Sequence, residues 1–295
     1  MFVIKYKALF FSLSAILVVA SLWALGTYGL KLGTDFTGGT LFEIEYASST
    51  RPAATVVEQA LKPLALGNVS VQPTGERGLT LRMQTIDEPT RQKVVSALVS
   101  QTGKFTEKRF TSVGPALGTE LARKGVVAIV LVVILIVLYI ALAFRKVSRP
   151  VSSWKYGLIA ILALAHDVII PMGVFALLGE WYGVEVDALF LTALLTILGL
   201  SVNDTIVVFD RIRENLRHRG SETFAEVVGR SLRQTFARSF NTSFTVVIVL
   251  LALLVFGSET TRWFALALTI GMVVGTYSSI FLASPLLVVW NRRER

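Results

Sequence analysis

One stretch of the sequence combines membrane-type hydrophobicity with a side chain that can carry a proton. Within residues 198–215, LGLSVNDTIVVFDRIREN, Asp204 lies in the apolar part, and the charged part begins at Asp210. A carboxylate in the hydrocarbon region of a bilayer costs roughly 2.5–3.5 kcal/mol on insertion scales, so an acid kept there indicates an ion or proton site. The alternative is a carboxylate at the membrane rim that pairs with an arginine for structural reasons alone.

Helical spacing places further polar side chains near this acid. Residues three or four apart share a helix face, which puts Ser201 beside Asp204 in the fourth apolar segment and aligns Arg238 with Thr242 and Thr245 in the fifth. If these two faces meet, Arg238 is a counter-ion for Asp204, and the hydroxyls of Ser201 and Thr242 extend a proton path. Burial favours the neutral form of a carboxylic acid and a nearby guanidinium favours the carboxylate, so movement of the arginine would couple proton entry to helix motion.

A second candidate is the adjacent pair His166-Asp167 in the third apolar segment. A buried aspartate with a neighbouring histidine can relay protons. Consecutive residues of a helix point about 100° apart, so the two side chains are not expected to face one another. A relay and a purely structural role are therefore equal alternatives for His166 and Asp167.

The composition excludes several classes of function. Of the 295 residues 53% are hydrophobic, and uncharged runs of about 20 residues recur, which is typical of a polytopic membrane protein. The net charge of +9 therefore does not indicate nucleic acid as a partner. The chain has no cysteine, two histidines and no phosphate-binding loop, so we predict no metal site, no bound cofactor and no ATP hydrolysis. It is predicted not to be an enzyme, and an ion gradient or a partner is the expected source of energy.

The apolar runs predict six transmembrane helices. Their expected bounds are 8–30, 125–144, 156–179, 188–209, 239–258 and 263–290. The first follows two lysines, as the core of a signal peptide does, but its length favours a permanent anchor. In the sixth, Pro285 predicts a kink, and the four-residue repeat of Gly271, Gly275 and Ser279 indicates close packing against another helix.

Three regions follow from these spans: 1–30 with the N-terminus and the first helix, 31–124 as a water-facing α+β domain, and 125–295 as a five-helix transmembrane region. Alternating hydrophobicity and turn residues give the α+β domain the order β-α-β-β-α-β, over 41–46, 50–64, 69–73, 79–83, 89–99 and 104–111. That order is typical of a ferredoxin-like sandwich. Thr50 and Thr55 are alternative caps for its first helix. The domain has no histidine and only scattered acids, which favours binding or docking over catalysis.

The polar connection at 210–238 contains a helix of another kind. Apolar residues recur at helical spacing from Phe224 to Phe236, and Thr223 with Glu226 fits a capping box. We therefore predict a cytoplasmic amphipathic helix near 221–237 that lies along the membrane face.

Lysine and arginine residues near the spans predict the orientation of the chain. They concentrate before the first span, at 145–155, at 211–238 and at the end of the chain, whereas the two short loops on the other side hold only Arg262. Positive residues of short loops stay on the cytoplasmic side. Both termini are therefore predicted to be cytoplasmic, with residues 31–124 on the far side of the membrane.

Five sequence motifs resemble the SecD/SecF family of bacterial protein-export membrane proteins, and within it the SecF type. In chain order they are GTDFTGGT (33–40), LAHDVII (164–170), SVNDTIVVFDRIREN (201–215), QTFARSFNTS (234–243) and YSSIFLASP (277–285). The resemblance covers essentially the whole chain, in order and with the right spacing.

The resemblance implies a function. Members of this family are proton-driven transporters of the resistance-nodulation-division type. The SecF type pairs with SecD into a twelve-span unit, assists the SecYEG channel and uses the proton-motive force to promote export of preproteins across the bacterial cytoplasmic (inner) membrane. The resemblance implies that Asp204 and Arg238 are the proton-path residues, that H⁺ is the coupling ion, with Na⁺ as the alternative, and that the partners are SecD, SecYEG, preproteins and the lipid bilayer.

The glycine-rich motif maps onto the root of the domain beyond the membrane. Its matching residues are Gly33, Asp35, Phe36, Gly38 and Gly39. Glycines in this position suit a tight turn or a hinge.

Two other functions stay open. A small-molecule exporter of the same superfamily carries two large outer domains and twelve spans in one chain, and six spans with one small domain argue against it. A passive scaffold that only stabilises the channel would need neither Asp204 nor Arg238. The start at Met1-Phe2 with a basic segment favours a separate subunit, and a trimmed part of a SecD–SecF fusion is the alternative.

Overall fold

A computed structural model of the chain describes residues 2–47, 51–143, 153–218 and 220–292. The chain divides into two compact units. The first, here called the α+β unit, is Leu32–Val126. The second, the helical unit, comprises the described residues before and after it.

Two helices precede the α+β unit, α1 (Phe2–Lys5) and α2 (Lys7–Tyr28). The elements of the unit itself are, in order, α3 (Thr34–Thr37), β1 (Gly39–Tyr46), α4 (Ala54–Leu61) with a 3₁₀ turn at Lys62–Leu64, β2 (Ser70–Thr74), β3 (Gly78–Met83), α5 (Glu88–Thr102) and β4 (Phe105–Val113). The strands form one antiparallel sheet in the order β2-β3-β1-β4. This is the strand arrangement of a ferredoxin-like fold, so the predicted fold class is confirmed.

The alternation of side chains along β1 determines which face of the sheet is covered. Phe42, Ile44 and Tyr46 are buried, and the residues between them are only partly buried. Leu81 of β3 pairs with Phe42, and Leu98 of α5 is fully buried in the same cluster. The apolar face of the sheet is therefore covered by its two helices, as the period-two pattern predicted.

The first long helix of the α+β unit starts without the predicted cap. Ala53 is the N-cap residue of α4, with extended backbone angles (φ −64°, ψ 143°) and no side-chain hydrogen bond to the first turn. Thr55 lies inside α4, so it is not the cap, and Thr50 lies outside the described residues.

Helix α5, in contrast, begins at an aspartate that caps it. The Asp87 carboxylate accepts a hydrogen bond from the backbone N–H of Thr90 at 3.1 Å. The hydrogen bonds with Thr90 hold the pKa of Asp87 below its usual range.

We expect Asp87→Ala to lower the hydrogen-exchange protection of the first turn of α5 about threefold, because an exposed N–H loses its acceptor. The folded-state pKa of Asp87 is lowered, so its stabilising contribution is present above the unfolded value of about 3.9 and is lost as the pH falls through the folded value. Protection factors of the complete chain near neutral pH and at about pH 3 measure both effects. Asp87→Asn is the matched control, since asparagine caps equally well without titrating. Unchanged protection in Asp87→Ala would contradict the capping role.

The glycine-rich motif forms the turn that leads into β1. Its residues all lie at the start of the α+β unit: Gly33, Asp35, Phe36, Gly38 and Gly39. Gly38 and Gly39 have φ angles of +78° and +118°, where other residues are strained. A side chain at Gly38 would also overlap the backbone of Pro115, whereas Gly33 has an ordinary extended backbone. The turn therefore requires glycine at two of the five positions, and a hinge stays a prediction.

The helical unit contains the long apolar helices. After the α+β unit they are α6 (Pro115–Ala143), which belongs to the helical unit from Val127 onward, α7 (Ser153–Tyr182), α8 (Ala188–Arg217), α9 (Phe224–Phe256) and a continuous run of α10 (Glu259–Tyr277), a π-helix (Ser278–Ala283) and α11 (Ser284–Arg292). With α2, the described residues give six helices that are long and apolar enough to cross a membrane. Helix α2 packs on α7, and α8, α9 and α10 pack on one another.

The predicted amphipathic helix is the first part of α9. Its capping box is present: the backbone N–H of Thr223 donates to the Glu226 carboxylate at 2.7 Å, and the backbone N–H of Glu226 donates to the Thr223 hydroxyl at 3.3 Å. The helix continues unbroken from Phe224 to Phe256, and its first apolar positions pack in one core cluster with α8. The prediction of a separate helix near 221–237 on the membrane face is therefore corrected, because protein rather than lipid covers the apolar side.

A buried asparagine fixes α8 and α9 to each other at this end. The Asn215 amide donates to the side-chain oxygens of Ser231 and Gln234, both at 2.8 Å, and its carbonyl accepts from Arg230 at 3.2 Å. This network sets the register of α9 against α8, and hence which α9 residues face α8.

Where we predicted a kink at Pro285, the structure has the π-helix Ser278–Ala283, which ends two residues before the proline. Proline has no N–H to donate and its ring displaces the preceding turn, which favours a widened turn at this point. The Ser284 hydroxyl donates to the Ser279 carbonyl at 2.9 Å and satisfies an acceptor in the widened turn. Turns of this kind occur frequently at functional sites.

The small-residue ridge of α10 packs against α8, as predicted. A side chain at Gly271 would overlap Ile197, and the β-carbon of a side chain at Gly275 would lie 3.1 Å from that of Ser201. The missing side chains therefore allow the close approach of these two helices.

We expect Gly271→Ala to lower the free energy of unfolding by about 1–3 kcal/mol, because the added methyl group must displace Ile197. Gly199→Ala on α8 is the matched control: no atom lies within 4 Å of the new β-carbon, so no loss is expected. Thermal unfolding of the two variants in the same detergent measures the difference. Equal stability of both variants would contradict the packing.

Candidate functional site

The acid of the fourth span lies in a polar layer between three helices. Asp204 of α8 is 7% exposed. The Ser243 hydroxyl of α9 donates to its carboxylate at 3.3 Å, and the Thr276 hydroxyl of α10 donates to Ser243 at 2.6 Å. Among the described residues no lysine or arginine forms an ion pair with Asp204. A buried carboxylate is costly when it is charged and unpaired, so this layer is suited to binding a proton.

The structure does not bring Arg238 to Asp204. The arginine side chain is exposed and forms no ion pair with a described residue. Thr242 is exposed as well, and the α9 residues that are buried at this level are Ser239 and Ser243. The inward face of α9 is thus displaced by one residue from the predicted one. Neither Arg238 nor Thr242 contacts Asp204 in this arrangement.

Side-chain size explains which face of α9 is turned inward. Ser239 and Ser243 are small enough for α9 to pack closely on its neighbours. The bulky rings of Phe236, Phe240 and Phe244 stack along the exposed side. Ser239 lies one turn from Ser243, and its buried hydroxyl has no hydrogen-bond partner among the described residues. This hydroxyl can therefore take part in proton transfer near Asp204.

Asp167 forms a second polar layer next to the first. It is 0% exposed, and its carboxylate accepts hydrogen bonds from the hydroxyls of Ser201 on α8 and of Ser278, the latter at 2.8 Å. Ser278 is the first residue of the π-helix. Ser201, which we predicted to assist Asp204, therefore bonds Asp167 instead. Ser201 and Asp204 lie one turn apart on α8, so the two layers are neighbours.

His166 contacts Asp167 after all. Its Nδ1 lies 2.9 Å from the Asp167 carboxylate, so the expectation that the two do not face one another was wrong. The Cα–Cβ bonds of adjacent helix residues diverge, but the two side chains are long enough to come within hydrogen-bond distance. The imidazole ring stacks on Tyr277 with centroids 6.2 Å apart, and its Nε2 is buried without a hydrogen-bond partner among the described residues.

Three residues of these layers were not predicted as site residues, namely Ser243, Thr276 and Ser278. Two of them lie inside motifs that carry the family resemblance, QTFARSFNTS and YSSIFLASP, and Thr276 immediately precedes the second. Serines at helical spacing in these motifs were the available signal. The charge of Arg238 directed the prediction to the neighbouring face.

The fold and these layers define the class of the protein. It is a multi-pass membrane protein with a ferredoxin-like domain between its first two long helices and with buried acids inside its helix bundle. The model of the family described as protein export membrane protein SecD/SecF, C-terminal, matches residues 93–293, and the SecD/SecF GG motif matches residues 23–50. The chain belongs to the SecD/SecF family.

Relatives of nearly the same length share this family. The protein translocase subunit SecF of Thermobaculum terrenum is 45% identical, over 99% of this chain and 94% of the relative. The protein of the same name from Anaerolinea thermophila is 41% identical, over 98% of this chain and 93% of the relative.

Solved structures show the same fold. The crystal structure of SecDF, a translocon-associated membrane protein from Thermus thermophilus, matches 99% of this chain with a TM-score of 0.83 and 33% identity. The match covers 38% of that longer chain. A crystal structure of SecDF in a super-membrane-facing form matches with a TM-score of 0.67 and 34% identity.

Proposed function

We propose that this chain is the SecF-type subunit of a bacterial Sec translocase. With a SecD-type subunit it uses the proton-motive force to promote export of preproteins through the SecYEG channel across the cytoplasmic membrane. The observation that carries the proposal is Asp204, a buried carboxylate with hydroxyl neighbours and no cation beside it among the described residues. The relatives' name, translocase subunit, supports a transport role rather than an enzymatic one.

Proton binding at Asp204 changes a contact between helices. The ionised carboxylate only accepts hydrogen bonds, whereas the carboxylic acid also donates one. Its partner Ser243 belongs to α9 and already accepts from Thr276 of α10. A proton that arrives at Asp204 therefore weakens the hydrogen bond between α8 and α9, because the neutral acid is a poorer acceptor than the carboxylate, or reverses its direction. Because hydroxyls both accept and donate, Ser243 and Thr276 also provide the onward path for the proton.

Arg238 supplies the second state of this cycle. It is adjacent to Ser239, and the two side chains point about 100° apart on α9. A rotation of α9 that replaces the serine face by the arginine face would bring the guanidinium to Asp204 and favour release of its proton. Conversely, an arginine exposed to lipid is costly, which supports a SecD-type subunit as the cover of this side of α9.

The orientation completes the proposal. Both termini lie in the cytoplasm, and the α+β unit lies on the outer side, where exported chains emerge. The distribution of lysine and arginine along the sequence supports this orientation. H⁺ is the proposed coupling ion, and no cofactor is needed.

The experiment that tests the proposal reconstitutes the chain in vesicles together with SecD- and SecYEG-type partners. Export of a model preprotein is measured with an imposed proton gradient, with the gradient collapsed by an uncoupler, and with a sodium gradient in its place. We expect stimulation by the proton gradient and its loss with the uncoupler. Stimulation by the sodium gradient alone would overturn H⁺ as the coupling ion. Export that is unaffected by either gradient would overturn the coupled function and indicate that the chain is only a scaffold.

A further inference from the structure

The pair of His166 and Asp167 is a buried acid and base that the path through Asp204 does not use. His166 is 4% exposed and Asp167 is fully buried. We propose that His166 is a second proton-binding group of this chain and that Asp167 is its ionised partner. This inference rests on the proton-coupled function proposed above and adds a site to it.

The contacts of Asp167 indicate which group holds the proton. Hydroxyls of Ser201 and Ser278 and the Nδ1 of His166 converge on its carboxylate. An ionised carboxylate accepts hydrogen bonds only, which matches a site where two hydroxyls donate and a ring nitrogen that can donate lies within hydrogen-bond distance. Asp167 is therefore the charged acceptor at the centre of α7, α8 and the π-helix.

The tautomer of His166 follows from this assignment. Opposite a carboxylate, Nδ1 carries the hydrogen and donates it, and Nε2 presents a lone pair. In the other tautomer the lone pair of Nδ1 would face the lone pairs of the Asp167 carboxylate at 2.9 Å, which is repulsive. Nε2 is therefore the atom that accepts a proton.

The proton-binding step creates no net buried charge. A hydronium ion or a protonated neighbour gives up its proton, an N–H bond forms at Nε2, and the imidazolium pairs with the Asp167 carboxylate. The titratable group that faces His166 from α10 is Tyr277, whose hydroxyl donates to the Phe10 carbonyl of α2 at 2.8 Å. Helix α2 adds the Ser14 hydroxyl and α8 adds that of Ser201, so these contacts of the described residues bring no further charge.

Protonation of His166 would change the polar layer around Asp204. The imidazolium attracts the Asp167 carboxylate and weakens its hold on Ser201 and Ser278. Ser201 lies one turn from Asp204 on α8, and Ser278 lies two residues after Thr276. Protonation of the pair therefore loosens the two helices that position the Asp204 layer.

The test observes the imidazole directly. The chain has two histidines, and His218 is exposed at the end of α8, so His218→Gln leaves His166 as the only imidazole. The complete chain, labelled with ¹⁵N-histidine, is studied in lipid bilayers by solid-state NMR between about pH 5 and about pH 8, the range in which histidine changes charge. We expect the neutral form with hydrogen on Nδ1 at the upper end and the imidazolium as the main form at the lower end.

A single unchanged protonation form of His166 over that range would overturn the proposal. In Asp167→Asn the imidazolium loses its carboxylate, and we expect the doubly protonated signal to disappear; its persistence would overturn the role of Asp167. Failure here is separable from failure of the proposed function. If Asp204→Asn abolishes gradient-stimulated export while His166 does not titrate, only the second site is wrong. If His166 titrates and Asp204→Asn exports normally, the path through Asp204 is wrong.

Discussion

We expect Asp204→Asn to lower the gradient-stimulated part of preprotein export at least about tenfold, while the complex still assembles. This is the expected result because asparagine keeps the shape and the hydrogen bond with Ser243 but cannot take up a proton. Export into vesicles that contain the partner subunits, with and without a proton gradient, measures the loss. Co-purification of the partners shows that assembly is intact.

Asp210→Asn is the matched control for this variant. It makes the same substitution on the same helix, at an exposed carboxylate that forms a 3.6 Å ion pair with Arg213. Exposed pairs of this kind contribute little, so export should stay close to that of the unmodified chain. Full gradient stimulation in Asp204→Asn, or an equal loss in Asp210→Asn, would contradict Asp204 as the coupling acid.

The elements of the fold were predictable because each rests on a local pattern. Six apolar runs are long enough to span a bilayer, and the alternation at 41–46 identifies β1. The capping box at Thr223 and Glu226 and the small ridge at Gly271 and Gly275 also depend on spacing within one helix. Each of these patterns lies within a single helix or strand, and each corresponds to an element or a contact in the structure.

The partners of the acids were not predictable in the same way. Helical spacing correctly placed Ser201 and Asp204 on one face of α8. It could not show that the Ser201 hydroxyl bonds Asp167 of α7, because that contact depends on how α7 packs against α8. Likewise, α9 offers two polar stripes one residue apart, and its packing against α8 turns Ser243 rather than Arg238 toward Asp204. A preference for opposite charges favoured the arginine stripe. The small size of the serines and the hydrogen bonds of Asn215, both of which matter only when the helices pack together, favour the stripe with Ser239 and Ser243.

Removal of the Asp167 carboxylate should lower the stability of the protein more than removal of the Asp204 carboxylate. We expect Asp167→Ala to lower the free energy of unfolding by about 3 kcal/mol, because it leaves the donors of Ser201 and His166 buried without an acceptor. Ser278 loses less, since its hydroxyl also lies 3.0 Å from the Gly275 carbonyl. Replacing a buried charge relieves a desolvation cost, but that gain is outweighed when the groups that point at the charge stay behind.

Asp204→Ala provides the contrast for this prediction, because the hydrogen bond that the Asp204 carboxylate receives from Ser243 is long, at 3.3 Å. We expect this variant to change the free energy of unfolding by less than about 1 kcal/mol. Denaturation of both variants in one lipid–detergent mixture, followed by circular dichroism, compares them. A larger loss in Asp204→Ala than in Asp167→Ala would reverse the assignment, with Asp204 as the acid that joins the helices. The expected order instead means that the chain keeps one carboxylate firmly bonded to hold three helices together and a second one loosely bonded, as a group that must gain and lose a proton requires.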